Sequence, residues 1–386
     1  MTILAPKIWI AFTILLSEMQ TEFFKTCGSV VAGHKDFAEE YHKILCLEYP
    51  AFLKKYEALS VLQRLRGIGL LCGTDWTPLF KNSFFYSRFD HSVGTALIVW
   101  NFTHDKKQTV AALLHDVSTP AFSHVTDFRN GDALTQESTE SLNAAMIHDD
   151  KDLAAVLEQD GLTAADVDDY HRFSVADNKM PSLSADRLEY MYPSGAALDE
   201  SWTLEEIKKN YSAVKILYDK NGIAELGFSD LHEAVLYTKR FCSISLILQH
   251  NEDKVAMQLM ADLVSCAVEN SIVCEKDLYT FSERELMQIF CDYAKKNPSG
   301  TFAKYFFTFT SMTQIEHRET EPSAKEDFYC VNVNVKKRYV DPLVELNGVR
   351  SCARVSELSA DAACCINAFL NYRDTEFGCV RWASCR

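Results

Sequence analysis

Four side chains that suit metal binding stand in three separate segments of this 386-residue sequence. They are His91 in SRFDHSVG, His115 and Asp116 in AALLHDVSTPAFSH, and Asp186 in LSADRLEY. Two imidazoles and two carboxylates form a ligand set for a divalent ion such as Mn, Fe, Co, Ni, Zn or Mg. In AALLHD an apolar run ends in a charged pair, and a buried charge is costly unless it is paired or bound to a metal. The sequence therefore predicts a buried site.

Helices are the elements expected to position these side chains. The apolar spacing predicts one helix over residues 89–103 and another over residues 106–116. Asp186 then comes from a later helix across a bundle, and ligands on facing helices commonly hold a metal in a bundle core. A loop over residues 73–87 delivers Arg88 to the same place. Further helices are predicted over residues 35–47, 51–66, 137–160, 203–220, 228–250, 252–271 and 282–296.

The chain changes character after the sequence NPSG at residues 297–300. The segment FYCVNVNV at residues 328–335 alternates apolar and polar residues, which predicts a strand. Residues 336–340 are expected to continue this strand or to return beside it, and residues 356–372 to form a last helix. The expected fold class is mainly α. Its parts are an N-terminal extension (1–22), a helical body (23–296) and a small C-terminal α/β appendage (297–386).

The order of the motifs resembles that of the HD-domain metal-dependent phosphohydrolases, and most closely their deoxynucleotide triphosphohydrolase branch. That branch carries an Arg-Phe-acidic-His-Ser-x-Gly stretch, a His-Asp pair, a Pro-x-Phe-Ser-His segment and a distal Asp. This sequence has RFDHSVG at 88–94, HD at 115–116, PAFSH at 120–124 and DRLEY at 186–190. The resemblance covers residues 60–200 and implies an HD-domain helical bundle. It also implies one divalent metal ion and hydrolysis of a phosphate ester or anhydride by metal-activated water.

The resemblance assigns roles to five further residues. Arg88 matches an arginine that contacts the reacting phosphate, and His124 matches a histidine that gives a proton to the leaving group. Asp127 matches an acidic residue that orients this histidine. Arg187 and Tyr190 match a basic phosphate contact and a tyrosine placed against the sugar of the substrate.

Each of these assignments has a structural alternative. Arg88 can instead form a salt bridge to a carboxylate such as Asp90. His124 and Asp127 can serve as core or helix-capping residues, and Tyr190 can simply fill the core. For the four metal ligands, the alternative is a buried polar network without metal.

The sequence also departs from the triphosphohydrolase branch at two places. Thr119 stands where that branch usually has a histidine, and Gln136-Glu137 stands where it has a His-Glu pair. A glutamine cannot relay a proton, so we expect Glu137 to serve as the acid or base instead. These departures also support a second hypothesis, in which the chain is a regulatory protein that binds metal or nucleotide but has lost turnover.

Other histidines offer weaker metal sites. His104-Asp105 and His148-Asp149 are also His-Asp pairs, but both lie in polar sequence typical of solvated helix ends. A two-metal phosphodiesterase would need further histidines between residues 116 and 186. His148 and His171 lie in that interval, but neither is in an apolar helix. The sequence therefore favours one metal ion.

The charge of the chain bears on its partners. A formal net charge of −15 argues against nucleic acid, because nonspecific binding needs a cationic surface. A small anionic substrate stays compatible with that charge, since a metal and local arginines set the field within a site. We expect a small-molecule phosphate, a nucleotide in particular, and no membrane partner. The C-terminal appendage is expected to serve homo-oligomerisation or substrate gating.

Cysteine usage and the N-terminus bear on the compartment. Thirteen cysteines without CxxC spacing predict reduced thiols in a cytoplasmic protein. The apolar run IWIAFTILL at residues 8–16 is too short to span a bilayer. It imitates a signal segment, which leaves secretion as the alternative, and Met19 offers an alternative start.

Overall fold

The structure is a computed structural model that describes residues 37–136, 138, 141–346 and 349–383. Glu137, expected from the sequence to act as an acid or base, lies outside these residues, as do residues 1–22 and the apolar run within them. The expectations for these parts therefore stay predictions.

Helices predominate in the described chain, which confirms the prediction of a mainly α fold. In chain order they are α1 (37–45), α2 (Leu53–Glu57), α3 (Ser60–Gln63), α4 (Arg88–Thr103), α5 (Lys106–Leu114), α6 (Val125–Arg129), α7 (Ser141–Asp149), α8 (Lys151–Gln159), α9 (Ala164–Val167), α10 (Ala185–Leu198), α11 (Leu204–Ser212), α12 (Leu231–Ile247), α13 (Asn251–Glu269), α14 (Glu283–Lys296), α15 (Thr301–Ser311), α16 (Val355–Leu358) and α17 (Ala360–Asn371).

Two small sheets accompany the helices in the described chain. Their strands are β1 (Val214–Tyr218), β2 (Ala224–Phe228), β3 (Glu316–Arg318), β4 (Phe328–Val331), β5 (Leu343–Leu346), β6 (Val349–Arg354) and β7 (Phe377–Arg381). One sheet has the order β1-β2-β5-β6, in which β2 and β5 are parallel and the other pairs antiparallel. The other has the antiparallel order β3-β7-β4.

Local signals set the ends of the two helices that carry the HD motifs. Ser87 caps α4, because its Oγ accepts a hydrogen bond from the Asp90 backbone N–H at 3.1 Å. The helix ends at His104, which adopts a left-handed conformation with φ 49°. Asp105 then caps α5 by accepting from the backbone of Lys107. The His104-Asp105 pair therefore lies in a turn between helices, as expected for a weaker metal site. Helix α4 packs directly against α5.

The apolar residues form two large cores. The first core is built by α1–α5, α7–α12 and the β1-β2-β5-β6 sheet, with residues such as Leu97, Leu113 and Leu188 fully buried. The second is built mainly by α6 and α13–α15, with Phe122 and Phe290 fully buried. The helices that carry His91, His115 and Asp186 belong to the first core, whereas His124 lies at the start of α6 in the second. The predicted site therefore lies where the two cores meet.

The prediction of a helix over residues 203–220 is wrong in its second half. The helix α11 ends at Ser212, and β1 and β2 form a hairpin instead. In the turn, Asp219 Oδ1 accepts hydrogen bonds of 2.8 Å from the backbone of Asn221 and of Ile223, and Gly222 has φ +80°. Asn-Gly between alternating apolar residues is a strong hairpin signal, so the turn chemistry overrides the helical spacing.

Three other helix predictions were too long. The helix predicted over 137–160 divides into α7 and α8 at Asp150, which is extended. The segment 51–66 divides into α2, α3 and a 3₁₀ turn over Arg64–Gly67, because Leu59 adopts an extended conformation. The predicted last helix over 356–372 divides into α16 and α17 at Ser359, which is also extended.

The C-terminal third contains both helix and strand. Helix α15 was not predicted, and the strand expected over 328–335 ends at Val331. Residues 336–340 belong to no strand, which corrects the expectation of a continuation or return. Strand β5 pairs with β2 from before residue 296, and α17 packs on α12. The domain boundary at 296 stays a prediction.

The cysteines depart from the expectation of thirteen reduced thiols. Cys330 on β4 and Cys379 on β7 lie directly opposite each other and form a disulfide. Nine other cysteines of the described chain are free. No helix among the described residues has both the length and the apolar character that crossing a bilayer requires.

Glu283 is a fully buried carboxylate that ties loops of the site to the start of α14. Its Oε1 accepts from the backbone N–H of Gly69 and of Phe122, both at 3.0 Å, and its Oε2 accepts from the Trp76 indole at 2.7 Å. Burial raises the pKa of Glu283, and the three donors oppose that rise. The residue thus fixes the turn that precedes His124.

Replacing Glu283 with alanine should lower the free energy of unfolding by at least about 3 kcal/mol, because three buried donors lose their acceptor. Urea unfolding followed by circular dichroism measures this. Glu285→Ala is the matched control, since Glu285 forms only an exposed capping box at the same helix end, worth about 0.3–1.5 kcal/mol. Equal losses in the two variants would contradict the role of Glu283.

Candidate metal centre

Donor atoms of three predicted metal ligands, His91, His115 and Asp116, all lie within 4.8 Å of one another, and the fourth ligand, Asp186, lies beside the two imidazoles. His91 Nε2 lies 3.1 Å from His115 Nε2, 3.1 Å from Asp186 Oδ1 and 3.8 Å from Asp116 Oδ2. His115 Nε2 lies 3.7 Å from each of the same two carboxylate oxygens. The structure therefore brings together side chains that are up to 95 positions apart in the sequence (186 − 91).

Hydrogen bonds on the far side of each imidazole orient it toward the other ligands. His91 Nδ1 lies 2.5 Å from Glu189 Oε2, and Glu189 Oε1 accepts from the Tyr86 hydroxyl at 2.7 Å. His115 Nδ1 lies 2.7 Å from the Ala112 carbonyl oxygen, to which it donates. With Nδ1 acting as donor, Nε2 of each ring faces the centre, which is the usual arrangement around metal-binding histidines.

The carboxylate of Asp116 is held on both of its oxygens. Its Oδ2 accepts from Arg88 Nη1 at 2.8 Å, and its Oδ1 accepts from the Thr119 hydroxyl at 3.0 Å. Arg88 therefore pairs with Asp116 and not with Asp90, the partner named in the structural alternative. Arg64 holds the same turn by donating to the carbonyl oxygens of Val117 and Thr119.

The electrostatics of the centre call for a cation. Burial opposes ionisation of Asp116, but Arg88 and His115 hold the pKa of that carboxyl far below its usual range. Burial likewise opposes ionisation of Asp186, and the hydrogen bond from His91 lowers its pKa to about 2. Burial lowers the pKa of His91, yet Glu189 and Asp186 outweigh it and raise that pKa to about 10. Ionised carboxylates thus retain a proton on His91 at neutral pH.

The donor set fits a divalent ion by distance and by chemistry. Two ligands about 2.1 Å from one ion lie about 3.0 Å apart when they are cis to each other, close to the measured range of 3.1–3.8 Å. A metal would replace the proton that His91 otherwise holds. The Asp116 and Asp186 side chains are 14% and 21% exposed while that of His91 is 1% exposed, so the centre opens to solvent on the carboxylate side.

His124 and Asp127 form the pair that the sequence predicts. His124 Nδ1 lies 2.9 Å from Asp127 Oδ2, and Asp127 Oδ1 accepts from the Ser138 backbone and hydroxyl. Phe122 and Ser123, just before His124, have φ of 63° and 51°. Left-handed conformations in two non-glycine residues store strain that is common at functional sites. Ser123 also accepts from Arg88 Nε at 3.1 Å, which links this turn to the metal centre.

Tyr190 and Arg187 occupy different environments. The Tyr190 ring is half-buried, 6.3 Å from the His91 ring, and burial raises its pKa to about 12. Arg187 is buried and turned toward the loop before α10. It forms an ion pair with Asp177 at 3.1 Å and donates to Asn178 and Ser182. Its role as a phosphate contact stays a prediction.

The remaining residues that the sequence suggested pair with other side chains or lie outside the described residues. His148 is exposed and pairs with Asp168 at 2.9 Å, and His171 pairs with Asp177 at 2.7 Å. Gln136 is buried with φ 53°. Glu137, which follows it, lies outside the described residues, so its proposed role is not tested.

Sequence reasoning missed Glu189, which orients His91 from a fully buried position. Its signal was the spacing in DRLEY, since residues three apart on a helix share a face and a carboxylate is unusual in a buried helix face. Gly94 on α4 lies directly against the side chain of Glu189 on α10. A Cβ built on Gly94 would overlap the Glu189 carboxylate, which explains the glycine in RFDHSVG.

Comparison with known sequences gives weak but extended similarity. No family model matches the chain. The chain is 23% identical over 343 residues to the metal-dependent phosphohydrolase cns2 of Cordyceps militaris, covering 88% of this chain and 91% of that protein. It is 27% identical over 135 residues to the uncharacterized protein YdhJ of Bacillus subtilis, and that similarity spans 33% of this chain and only 38% of YdhJ.

Comparison with solved structures shows that the fold is shared. A hypothetical protein from Aquifex aeolicus superposes with a TM-score of 0.57 at 13% identity, over 86% of this chain and 92% of that one. A phosphohydrolase from Bacteroides thetaiotaomicron superposes with a TM-score of 0.52 at 11% identity, over 85% and 95%. The architecture is therefore an established one over most of the described chain.

Replacing Gly94 with alanine should weaken divalent-metal binding by at least about tenfold, because the new methyl group displaces the carboxylate that orients His91. Calorimetric titration of the metal-free protein with Mn²⁺ or Co²⁺ measures this. Glu189→Gln should weaken binding similarly, whereas Asn101→Ala, at the other end of the same helix, should leave it unchanged. Wild-type metal affinity in Gly94→Ala would contradict the inference that the Gly94–Glu189 contact supports metal binding.

Proposed function

We propose that this chain is a metal-dependent phosphohydrolase of the HD type that cleaves a small-molecule phosphate, with a nucleotide as the favoured class. The observation that carries the proposal is the convergence of His91, His115, Asp116 and Asp186 beside the buried guanidinium of Arg88. The names of two similar proteins agree with it. One is the metal-dependent phosphohydrolase cns2, and the other is the phosphohydrolase from Bacteroides thetaiotaomicron.

The residues would divide the chemistry between them. His91, His115, Asp116 and Asp186 would hold one divalent ion, which would supply Lewis acidity toward water and a phosphoryl oxygen. Arg88 already donates to Asp116 and Ser123, so its position is fixed before substrate binds. A fixed guanidinium stabilises the charge that develops on the reacting phosphate at little cost in reorganisation.

We assign the proton transfer to His124. Asp127 fixes its ring through Nδ1, so Nε2 is the atom that can protonate a leaving oxygen. The histidine lies at the start of α6, and Arg88 reaches the adjacent Ser123. Tyr190 adds an aromatic ring beside His91, on which a sugar can pack. The nucleotide preference rests on this ring and on the resemblance.

A regulatory protein without turnover is the second candidate function. Thr119 favours a protein without turnover, because it stands where the triphosphohydrolases usually have a histidine. Its hydroxyl donates a hydrogen bond to Asp116 instead. Such a protein would bind metal and substrate but release no phosphate.

Asp116→Asn should abolish both metal retention and phosphate release, because the variant removes a ligand charge and the partner of Arg88. Metal analysis and a phosphate-release screen over nucleoside mono-, di- and triphosphates measure both effects. Asp149→Asn is the matched control, since it makes the same change in an exposed His-Asp pair. Phosphate release that survives in Asp116→Asn would refute the metal-dependent hydrolase, and metal binding without release in wild type would favour the regulatory protein.

The pH profile should report His124. Burial lowers the pKa of His124 below its usual value of about 6.5, and a proton donor works only while protonated. The value of kcat/KM should therefore fall as pH rises through that lowered pKa, and the limb of kcat should lie at higher pH because the anionic substrate favours imidazolium.

His124→Gln should lower kcat by about 10²–10⁴-fold and remove this limb from the profile. Steady-state rates between pH 5 and 9 at saturating metal test both statements. An unchanged limb in the variant would show that another group donates the proton.

A further inference from the structure

His317 lies between two carboxylates that do not belong to the metal centre. Its Nε2 lies 2.9 Å from Glu252 Oε1, and its Nδ1 lies 2.9 Å from Asp374 Oδ1. His317 is on β3, Glu252 is in the first turn of α13, and Asp374 is in the segment 372–376 between α17 and β7. These three residues are termed the latch, because they join the C-terminal sheet to the start of α13.

Strand pairing brings His317 to this position. In the antiparallel pair of β3 and β7, it is the direct partner of Gly378. Gly378 lies against α13, because a Cβ built on it would come within 2.7 Å of Asn251 Cβ and 2.9 Å of Val255 Cγ2. Strand β7 therefore packs closely on the first turns of α13, and the neighbouring strand β3 carries its histidine to the end of the helix.

Asp374 is held in place by the backbone around it. Its side chain is 8% exposed. Its Oδ2 accepts from the Asn251 backbone N–H and its Oδ1 from the Thr375 backbone N–H, both at 2.7 Å. Burial raises the pKa of Asp374, but the Asn251 N–H and His317 outweigh burial and hold that pKa below its usual range. The carboxylate is therefore ionised at neutral pH.

Two carboxylates on one imidazole call for the protonated ring. A neutral imidazole has a single N–H, so its other nitrogen would turn a lone pair toward a carboxylate, whereas the imidazolium donates from both nitrogens. Burial lowers the pKa of His317, but the hydrogen bonds to Glu252 and Asp374 outweigh burial and raise that pKa. The latch is therefore complete only while His317 carries its second proton.

A metal ion fits the latch less well than a proton does. One donor atom from each of the three residues lies within 4.8 Å of the others. The two carboxylates, however, face different nitrogens of the ring, and an ion binds the lone pair of only one of them. An ion at Nε2 beside Glu252 would leave Asp374 at Nδ1, so the three donors would not share one centre.

Other charged and titratable groups stand on the elements packed around the latch. They are His250, Asp253 and Lys254 at the start of α13, Glu316 and Arg318 on β3, Tyr372, Arg373 and Glu376 before β7, Arg381 on β7, and Lys337, which donates to the Tyr372 carbonyl. Glu316 pairs with Arg318 and with Arg381. Burial raises the pKa of Tyr372, and burial raises that of Asp253 to about 7. Asp253 thus titrates near neutral pH as well, so a test has to isolate His317 by difference.

We propose that the latch is a pH-sensitive switch, which fastens β3 and the segment 372–376 to the start of α13 while His317 is protonated and releases them when the ring loses its proton. Helix α13 packs against α6, the helix that follows His124 and contains Asp127. The switch therefore acts on a helix of the second core, at the end that the C-terminal sheet covers.

The sign of the pH dependence follows from the raised pKa of His317. In the unfolded chain a histidine has a pKa of about 6.5, and in the folded chain that of His317 is higher. The stabilisation by the latch is therefore fully present below about pH 6.5, and it is lost as the pH rises through the raised pKa.

Hydrogen exchange of the full chain, measured by mass spectrometry from pH 6 to pH 9 and corrected for the intrinsic exchange rate, tests the switch. At pH 6, peptides over 249–254 and 372–376 should be about three- to tenfold more protected in wild type than in His317→Gln. This ratio should fall toward one as the pH rises, because deprotonation removes the same contact from wild type. Asp253 is present in both proteins, so its titration cancels in the ratio.

Two further variants sharpen the test. In Glu252→Gln the fall in protection should move to lower pH, because the ring keeps only one carboxylate to favour its charge. This variant also carries the test if His317→Gln does not fold, which thermal unfolding shows. His250→Gln is the matched control, since it replaces a histidine at the same helix end outside the latch, and it should keep the pH dependence of wild type.

Three results would overturn the switch. They are a ratio of one at pH 6, a ratio that stays constant up to pH 9, and loss of the pH dependence in His250→Gln. Repeating the series in excess EDTA separates a proton from a metal: an unchanged ratio supports the proton, whereas a ratio that drops to one at pH 6 would assign the latch to a bound ion. The measurement needs no turnover, so its outcome does not depend on the proposed hydrolase.

Discussion

The arrangement of this protein depends on the cost of placing two carboxylates and two imidazoles around one point. Ionised Asp116 and Asp186 lie within 4 Å of two imidazole nitrogens, and such a cluster is stable only where positive charge balances the carboxylates. Helices α4, α5 and α10 must then approach closely, which is why α4 has a glycine where Glu189 passes. The packing of these helices in the first core therefore has to bring the four side chains together.

Other buried charges near the site follow from the same constraint. Arg88 neutralises Asp116, Glu189 orients His91, and Glu283 binds three donors from the loops around the site. Each is buried with a partner, as the cost of an isolated buried charge requires. Glu283 and Arg88 also hold the strained turn at Phe122 and Ser123, which directly precedes His124.

The sequence predicted the parts of this site that are local or chemically distinctive. The four candidate ligands are recognisable from residue type and spacing, the His124–Asp127 pair was expected from the resemblance, and helices α4, α5 and α10 have clear capping residues. The β1–β2 hairpin was missed because helical spacing was given more weight than the turn residues Asn221 and Gly222. Arg187 looked like a phosphate contact by position, yet its partners on the preceding loop are set by tertiary folding, which one-dimensional spacing does not reveal.

Arg338 marks the limit of sequence reasoning most clearly. It stands in the basic run Lys336-Lys337-Arg338, where nothing in the pattern separates one cation from the next. The folded chain separates their contacts: Lys336 donates to a carbonyl in the loop after α6, and Lys337 donates to a carbonyl near the end of α17. Residues 335–341 run between the two cores, with Val335 buried in the second and Val340 in the first, and the charge of Arg338 adds to the burial that lowers the pKa of His124. The C-terminal third therefore packs into both of the cores that flank the site.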